Sequence, residues 1–174
     1  TEADMNSSVT SVRSNAFVGC RSLRSVVCSP VLATIGDYAF YGCYDLEHFD
    51  ASASKLKSLG VGTFYGCTAL QSVALSSRTN AIGDYAFMDC PNLQSFTVAA
   101  GNTTYSATDG VLFSKNGSTL ILFPNGRAGG YDVPAGTTAV APMAFYAAGR
   151  LTAVTLPESV GTLGDNAFGY CTAL

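Results

Sequence analysis

Apolar residues in this chain recur with a long period. Five blocks repeat one phrase: Ala16-Phe17-Val18-Gly19-Cys20, Ala39-Phe40-Tyr41-Gly42-Cys43, Thr63-Phe64-Tyr65-Gly66-Cys67, Ala86-Phe87-Met88-Asp89-Cys90 and Ala167-Phe168-Gly169-Tyr170-Cys171. A sixth, worn copy stands at Ala144-Phe145, and the phenylalanines step by 23, 24, 23, then 58, then 23. A period in the twenties marks a solenoid. Each unit is one turn of chain, too small to bury its own apolar face and stable only when stacked on its neighbours.

The columns of the repeat can be followed from unit to unit. One unit reads Leu23, Val26, Cys28, Ile35, Phe40, Cys43, and its columns return at Leu46, Phe49, Ala51, Leu59, Phe64, at Leu70, Val73, Leu75, Ile82, Phe87 and at Leu151, Val154, Leu156, Leu163, Phe168. Around Val26 and Val73, apolar and small polar residues alternate with the period of two that a strand with one buried face requires. Successive units then place parallel strands side by side in one long sheet. Asp37, Asp84 and Asp165 precede the Ala-Phe phrase, with Pro142 at the same place in the worn copy. Asp suits a helix N-cap and Pro a first helical position, so each unit is expected to close with a short helical or 3-10 turn. Val61 interrupts the Asp column, which argues against a metal ladder there.

One interval is longer: the strand column advances 35 positions from Val98 to Val133. Val111-Leu112-Phe113-Ser114 and Thr119-Leu120-Ile121-Leu122-Phe123 flank Lys115-Asn116-Gly117-Ser118, and Asn-Gly between apolar runs signals a hairpin. The insert is expected at about 105–127, with Tyr131-Asp132-Val133-Pro134 restarting the sheet.

Ile35 to Leu46 and Ile82 to Leu93 share the phrase Ile-Gly-Asp-Tyr-Ala-Phe-x-x-Cys-x-x-Leu. Together with the insert Tyr105 to Phe113 leading into Leu122-Phe123-Pro124-Asn125-Gly126, they resemble the BspA-type leucine-rich repeats. That resemblance implies a right-handed leucine-rich-repeat superhelix of about six turns, an α/β repeat solenoid with a parallel sheet on one face and short helical or 3-10 turns on the other. It also implies a bacterial surface or secreted protein, in a family associated with adhesion to host matrix proteins and other cells. It brings no shared catalytic residues. The worn copy, where Ala147, Ala148 and Gly149 replace Gly-Cys, and Asp89, which replaces a Gly, depart from the pattern.

Composition narrows the function further. Of the 174 residues, 48% are apolar and 12% charged, with a formal net charge of -3, so no basic field exists to hold a phosphate backbone and nucleic acid is not a partner. No stretch is long and apolar enough for a membrane-spanning helix. The chain starts at Thr1-Glu2-Ala3-Asp4 with Val12 to Leu23 but no preceding strand and stops as a new unit opens, the expectation for part of a longer protein.

Six cysteines invite a disulfide framework. However, Cys20, Cys43, Cys67, Cys90 and Cys171 share one column on the core side of the closing turn, and Cys28 replaces a strand leucine. Stacked side chains in such a column point alike, so they are expected as unpaired, buried thiols. With no Cys-x-x-Cys and a single histidine, no zinc site is expected, and nothing calls for a cofactor.

His48 with Asp50 and Ser25 or Ser72 would be the raw material of a hydrolytic triad, but no nucleophile turn accompanies them. They alternate outward beside Phe49 and Ala51, as a solvated strand face does. The outward columns read Ser25, His48, Ser72, Ser95, Gly130, Ala153 and Val27, Asp50, Ala74, Thr97, Asp132, Thr155, with Arg24, Glu47, Gln71, Gln94 and Thr152 at the rim. Convergent carboxylates and stacking aromatics are both lacking there, so a polysaccharide-cutting β-helix is the disfavoured reading. A protein or extended peptide is the expected ligand of this face and rim. A purely structural spacer presenting another domain is the alternative. Elsewhere Tyr41, Tyr65, Tyr146 and Met88 share one position and Tyr38 and Tyr85 another, read as edge cover for the core. Asn6-Ser7-Ser8, Asn102-Thr103-Thr104 and Asn116-Gly117-Ser118 match the N-glycosylation triplet.

Overall fold

The computed structural model covers residues 1–174. Two columns of short parallel strands build its first part. Strands β1 (Glu2–Asp4), β3 (Ser25–Val27), β5 (His48–Asp50), β7 (Ser72–Leu75) and β9 (Ser95–Val98) form one sheet in that order. Strands β2 (Ser11–Val12), β4 (Thr34–Ile35), β6 (Ser58–Leu59) and β8 (Ala81–Ile82) form the second. Val26, Phe49, Val73 and Phe96 point inward and are buried, while their neighbours in sequence face out. The period-two reading of the strands therefore holds. A strand does precede the first closing turn, contrary to the sequence reading: Glu2–Asp4 pairs in parallel with Ser25–Val27. The solenoid has about seven turns rather than six.

The closing turns are not helical. Tyr38 and Gly42 both have left-handed backbones, with φ of 54° and 68°, and two such residues four apart cannot sit in a right-handed helix. The N–H groups divide their duties instead. Tyr38, Phe40 and Gly42 donate to the carbonyls of Val61, Thr63 and Tyr65 in the next coil at 2.8, 2.8 and 2.9 Å, while Tyr41 and Cys43 donate back to Tyr38 and Phe40. The same alternation ties Gly62, Phe64 and Gly66 to Asp84, Ala86 and Met88. Polar backbone groups that a helix would satisfy internally are satisfied between coils. Asp37 accordingly caps no helix; its Oδ1 accepts the N–H of Val61 from the next coil at 2.8 Å.

Inside each closing turn the phenylalanines stack. Phe17, Phe40, Phe64 and Phe87 lie with ring centroids 5.0, 5.3 and 5.5 Å apart and planes within 8° of parallel. Phe123, Phe145 and Phe168 form a second stack at 4.9 and 4.7 Å. Each stacked pair adds about 0.5–1.5 kcal/mol beyond the burial of its area. The core divides accordingly into a cluster from Met5 to Leu112 and another from Val111 to Ala167.

The insert separates the two clusters. It has three strands, β10 (Tyr105–Thr108), β11 (Val111–Ser114) and β12 (Thr119–Leu122), and therefore two antiparallel connections rather than the single hairpin expected. The unforeseen turn is Asp109-Gly110, both with positive φ. In β11, Leu112 faces the first cluster while Val111 and Phe113 face the second, so all three are buried. Strand β12 then pairs in parallel with β14 (Ala139–Val140), followed by β16 (Thr162–Leu163), which resumes the second column; β13 (Gly129–Asp132) and β15 (Leu151–Thr155) resume the first.

Two side chains fasten the insert. Asn102 is buried; its Nδ2 donates to the carbonyls of Ser76 and Thr79 at 2.9 and 2.8 Å, and its Oδ1 accepts the N–H groups of Thr104 and Tyr105. A glycan cannot be attached there, which removes Asn102 from the candidate triplets. Arg127 donates to the carbonyl and the carboxylate of Asp109 and lies 5.5 Å from the ring centroids of both Phe123 and Tyr131.

Candidate functional site

The outward face of the first sheet is the surface singled out by sequence. Register places Ser72 beside His48 and Ser95 beside Ser72, with Asp50, Ala74 and Thr97 in the next ladder along. Ser25 pairs across to Glu2, a residue the sequence reading did not assign to the face, and donates its hydroxyl to Glu2 Oε2 at 3.1 Å. The backbone beneath is paired strand to strand, Val27 with Asp50, Phe49 with Val73 and Val73 with Phe96.

Chemistry on this face is limited by how its polar groups are used. His48 Nδ1 and Ser72 Oγ are hydrogen-bonded at 2.8 Å across neighbouring strands. Asp50 does not complete a triad; its Oδ1 accepts the N–H of Ser52 at 2.8 Å. That Asx turn holds the carboxylate at the end of its own strand. No group of three or more histidine, cysteine or acidic side chains is placed to hold a metal ion.

The rim residues Arg24, Glu47, Gln71 and Gln94 stack in register through backbone bonds, Glu47 N–H to Arg24, Gln71 N–H to Glu47 and Gln94 N–H to Gln71. Gln94 is otherwise engaged: its Nε2 donates to the carbonyl of Gly126 at 2.8 Å, tying the exit of the insert. Beside it the Asp109-Gly110 turn abuts β9, where the Gly110 carbonyl accepts the N–H of Phe96 at 2.8 Å. Asp132 belongs to the two-stranded sheet of β13 and β15, which is not hydrogen-bonded to β9. The continuous part of the candidate face thus runs from Arg24 and Ser25 through Glu47, His48, Asp50, Gln71 and Ser72 to Ser95 and Thr97.

The cysteines form an internal ladder. Cys43, Cys67 and Cys90 are buried and donate their thiols to the carbonyls of Phe17, Phe40 and Phe64 in the preceding coils, each at 3.2 Å, and Cys171 does the same to Phe145 at 3.0 Å. All six cysteines are free, and Cys20, in the first coil, is exposed rather than buried. Burial pushes the thiols of Cys43 and Cys90 up to about 11 and about 12, and that of Cys67 higher still. Cys28 is pushed up to about 12 by burial and by the nearby Asp50. Such thiols are poor nucleophiles and poor metal ligands.

Sequence reasoning missed a polar ladder at the corner after the first strand. Ser54 Oγ donates to Ala51, Ser76 Oγ and Thr79 Oγ1 donate to Leu56, and Asn102 continues the series. Its signal was small hydroxyl residues at positions otherwise filled by apolar ones, buried because every bond is met.

The model of the BspA type leucine rich repeat region matches in six copies, over residues 1–114 and 130–174. The chain belongs to the BspA-type leucine-rich repeat family. The unmatched residues, 115–129, coincide with the second turn of the insert and β12. Among solved structures, a leucine-rich repeat protein from Eubacterium ventriosum is similar over the whole of this chain and 52% of its own, with a TM-score of 0.86 and 26% identity. A leucine rich cell surface protein from Faecalibacterium prausnitzii is 26% identical over the whole chain and 59% of its own, with a TM-score of 0.58. The pneumococcal vaccine antigen PcpA shares the fold, with a TM-score of 0.71 at 22% identity over 98% of this chain and 48% of its own. The BspA-type chain therefore spans about half the length of these structures. No curated protein matches it. No helix is long and apolar enough to cross a membrane.

Proposed function

We propose that this BspA-type segment is a non-enzymatic protein-binding or adhesion module of a longer bacterial surface or secreted protein, receiving its partner on the outward face of the first sheet. The observation that carries the reading is the character of that face. Four neighbouring parallel strands, β3, β5, β7 and β9, present Ser25, His48, Ser72, Ser95, Asp50 and Thr97, with exposed Arg24, Glu47 and Gln71 at the edge. Side chains this small let an extended or flat partner approach closely, and the mixed charges of the rim supply orientation. Asp50 bonds to its own turn and not to His48, so the polar groups of the face do not converge into a triad. Surface relatives in the same fold family support the location.

The test is capture of purified matrix proteins and intact cells by the immobilised chain. Ser72→Arg and His48→Glu, which add bulk or a new negative charge on the face, should reduce capture at least tenfold, while Tyr41→Ala on the opposite side should not. Capture that is indifferent to both face variants would place the contact elsewhere. A chain that captures nothing would favour a spacer presenting another domain.

A further inference from the structure

The two phenylalanine stacks do not meet. Phe87 ends the first and Phe123 begins the second, and between them the insert leaves a cavity of about 210 Å³ to which both rings contribute a wall. Fourteen of its 18 lining residues are hydrophobic. A cavity of roughly 150 Å³ lined by apolar side chains is enough to hold a benzene ring. This one therefore has room for a ring and a short tail.

The repeat departs from its own pattern at the walls of this cavity. Met88 stands in the column of Tyr41, Tyr65 and Tyr146, and Met143 in the column of Tyr38 and Tyr85; both line it. Methionine adapts its shape and makes favourable contacts with aromatic edges, a property of surfaces that accept ligands. Tyr85 and Tyr146 also line it.

Asp84 is the one charged side chain among the lining residues. Arg127, which lies against the Phe123 ring, is committed to Asp109 in the molecule's one ion pair, so Asp84 has no cationic partner. Asp84 is exposed, so its charge stays solvated until a ligand arrives.

We propose that this cavity is a binding site for a small arylalkylamine, the ring lying between Phe87 and Phe123 and the ammonium facing Asp84. A cation is favoured twice, by the carboxylate and by the faces of Tyr85 and Tyr146. An aromatic carboxylate of equal size is disfavoured by the same carboxylate. This site is on the turn side and is independent of the sheet-face reading.

The probes are 2-phenylethylamine and phenylacetate, which share a ring and differ in the sign of the tail. Calorimetry at pH 7 should show the amine binding at least tenfold tighter than the acid, and Asp84→Asn should bring the two within about twofold. The three methionines make the site directly visible, because methyl-labelled protein should shift at Met88 and Met143 and stay unchanged at Met5 in the first coil. Ala141→Leu, which fills the cavity wall, should weaken the amine at least tenfold. Absence of binding, equal affinity for the two probes, or shifts that spare Met88 and Met143 would each overturn the proposal, and the methyl shifts decide it even if Ala141→Leu fails to fold.

Discussion

The thiol of Cys67 donates to the carbonyl of Phe40, 3.2 Å away in the preceding coil. The two residues lie 27 positions apart, so this one weak bond links consecutive turns of the solenoid directly beneath the aromatic stack. Protonation is what allows it, and burial is what keeps the proton on.

Thiol reactivity should therefore divide by coil. In native protein at pH 8, alkylation should modify Cys20 readily and leave Cys43, Cys67 and Cys90 untouched. Denaturation without reductant should release six reactive thiols. Mass spectrometry of labelled peptides gives the count, and fewer than six would mean that pairs form.

The same thiols fix a pH dependence. Their ordinary value is 9.0, and in the folded chain Cys43 and Cys90 are pushed up to about 11 and about 12. The unfolded chain loses these protons first as pH rises, so it binds fewer protons than the native state above pH 9. Stability is fully present below pH 9 and should fall as pH rises through about 11 to 12. Urea midpoints measured between pH 8 and 11 should decline, and replacing Cys67 by Ala should flatten the decline.

Core and face should respond oppositely to truncation. Phe64→Ala removes a fully buried ring stacked on both sides and should cost ~3 to 5 kcal/mol. His48→Ala, on the exposed face, should change stability by less than about 0.5 kcal/mol. Chemical denaturation separates the two, and equal effects would reverse the assignment of inside and outside.

Coil spacing depends on glycine. A Cβ built on Gly60 would lie 2.5 Å from the Asp37 nitrogen and 2.5 Å from the Gly36 carbonyl carbon, both backbone, whereas one on Gly161 meets nothing within 4 Å. Gly60→Ala should therefore force the coils apart and cost at least ~1 to 3 kcal/mol. Gly161→Ala should be nearly neutral. Thermal melts of the two variants make the comparison.

The repeat, the buried columns and the outward face were legible because a period of two within strands and of about 23 between them needs no tertiary information. Ser25, His48, Ser72 and Ser95 fell in one ladder for that reason. The closing turns misled because Asp37 and Pro142 are local helix signals, while the bonds that decide the backbone run from Tyr38, Phe40 and Gly42 to the next coil. Likewise Asn116-Gly117 announced one hairpin, but Asp109-Gly110, an equally good turn pair, stood inside the insert phrase Tyr105 to Phe113 and was not read as a turn. Gln94 looked like free rim because nothing local shows that Gly126 returns beside it. The cavity at the insert was invisible for the same reason, since Phe87, Phe123 and Tyr146 reach its wall from separate coils.

Amide hydrogen exchange in the closing turns tests the stacked-coil architecture most directly. If each turn donates to the next coil, the N–H groups of Tyr38, Phe40, Gly42, Phe64 and Gly66 should be protected to nearly the level of global unfolding, together with the strands. Rapid exchange at these amides, alongside slow exchange in β5 and β7, would contradict the account.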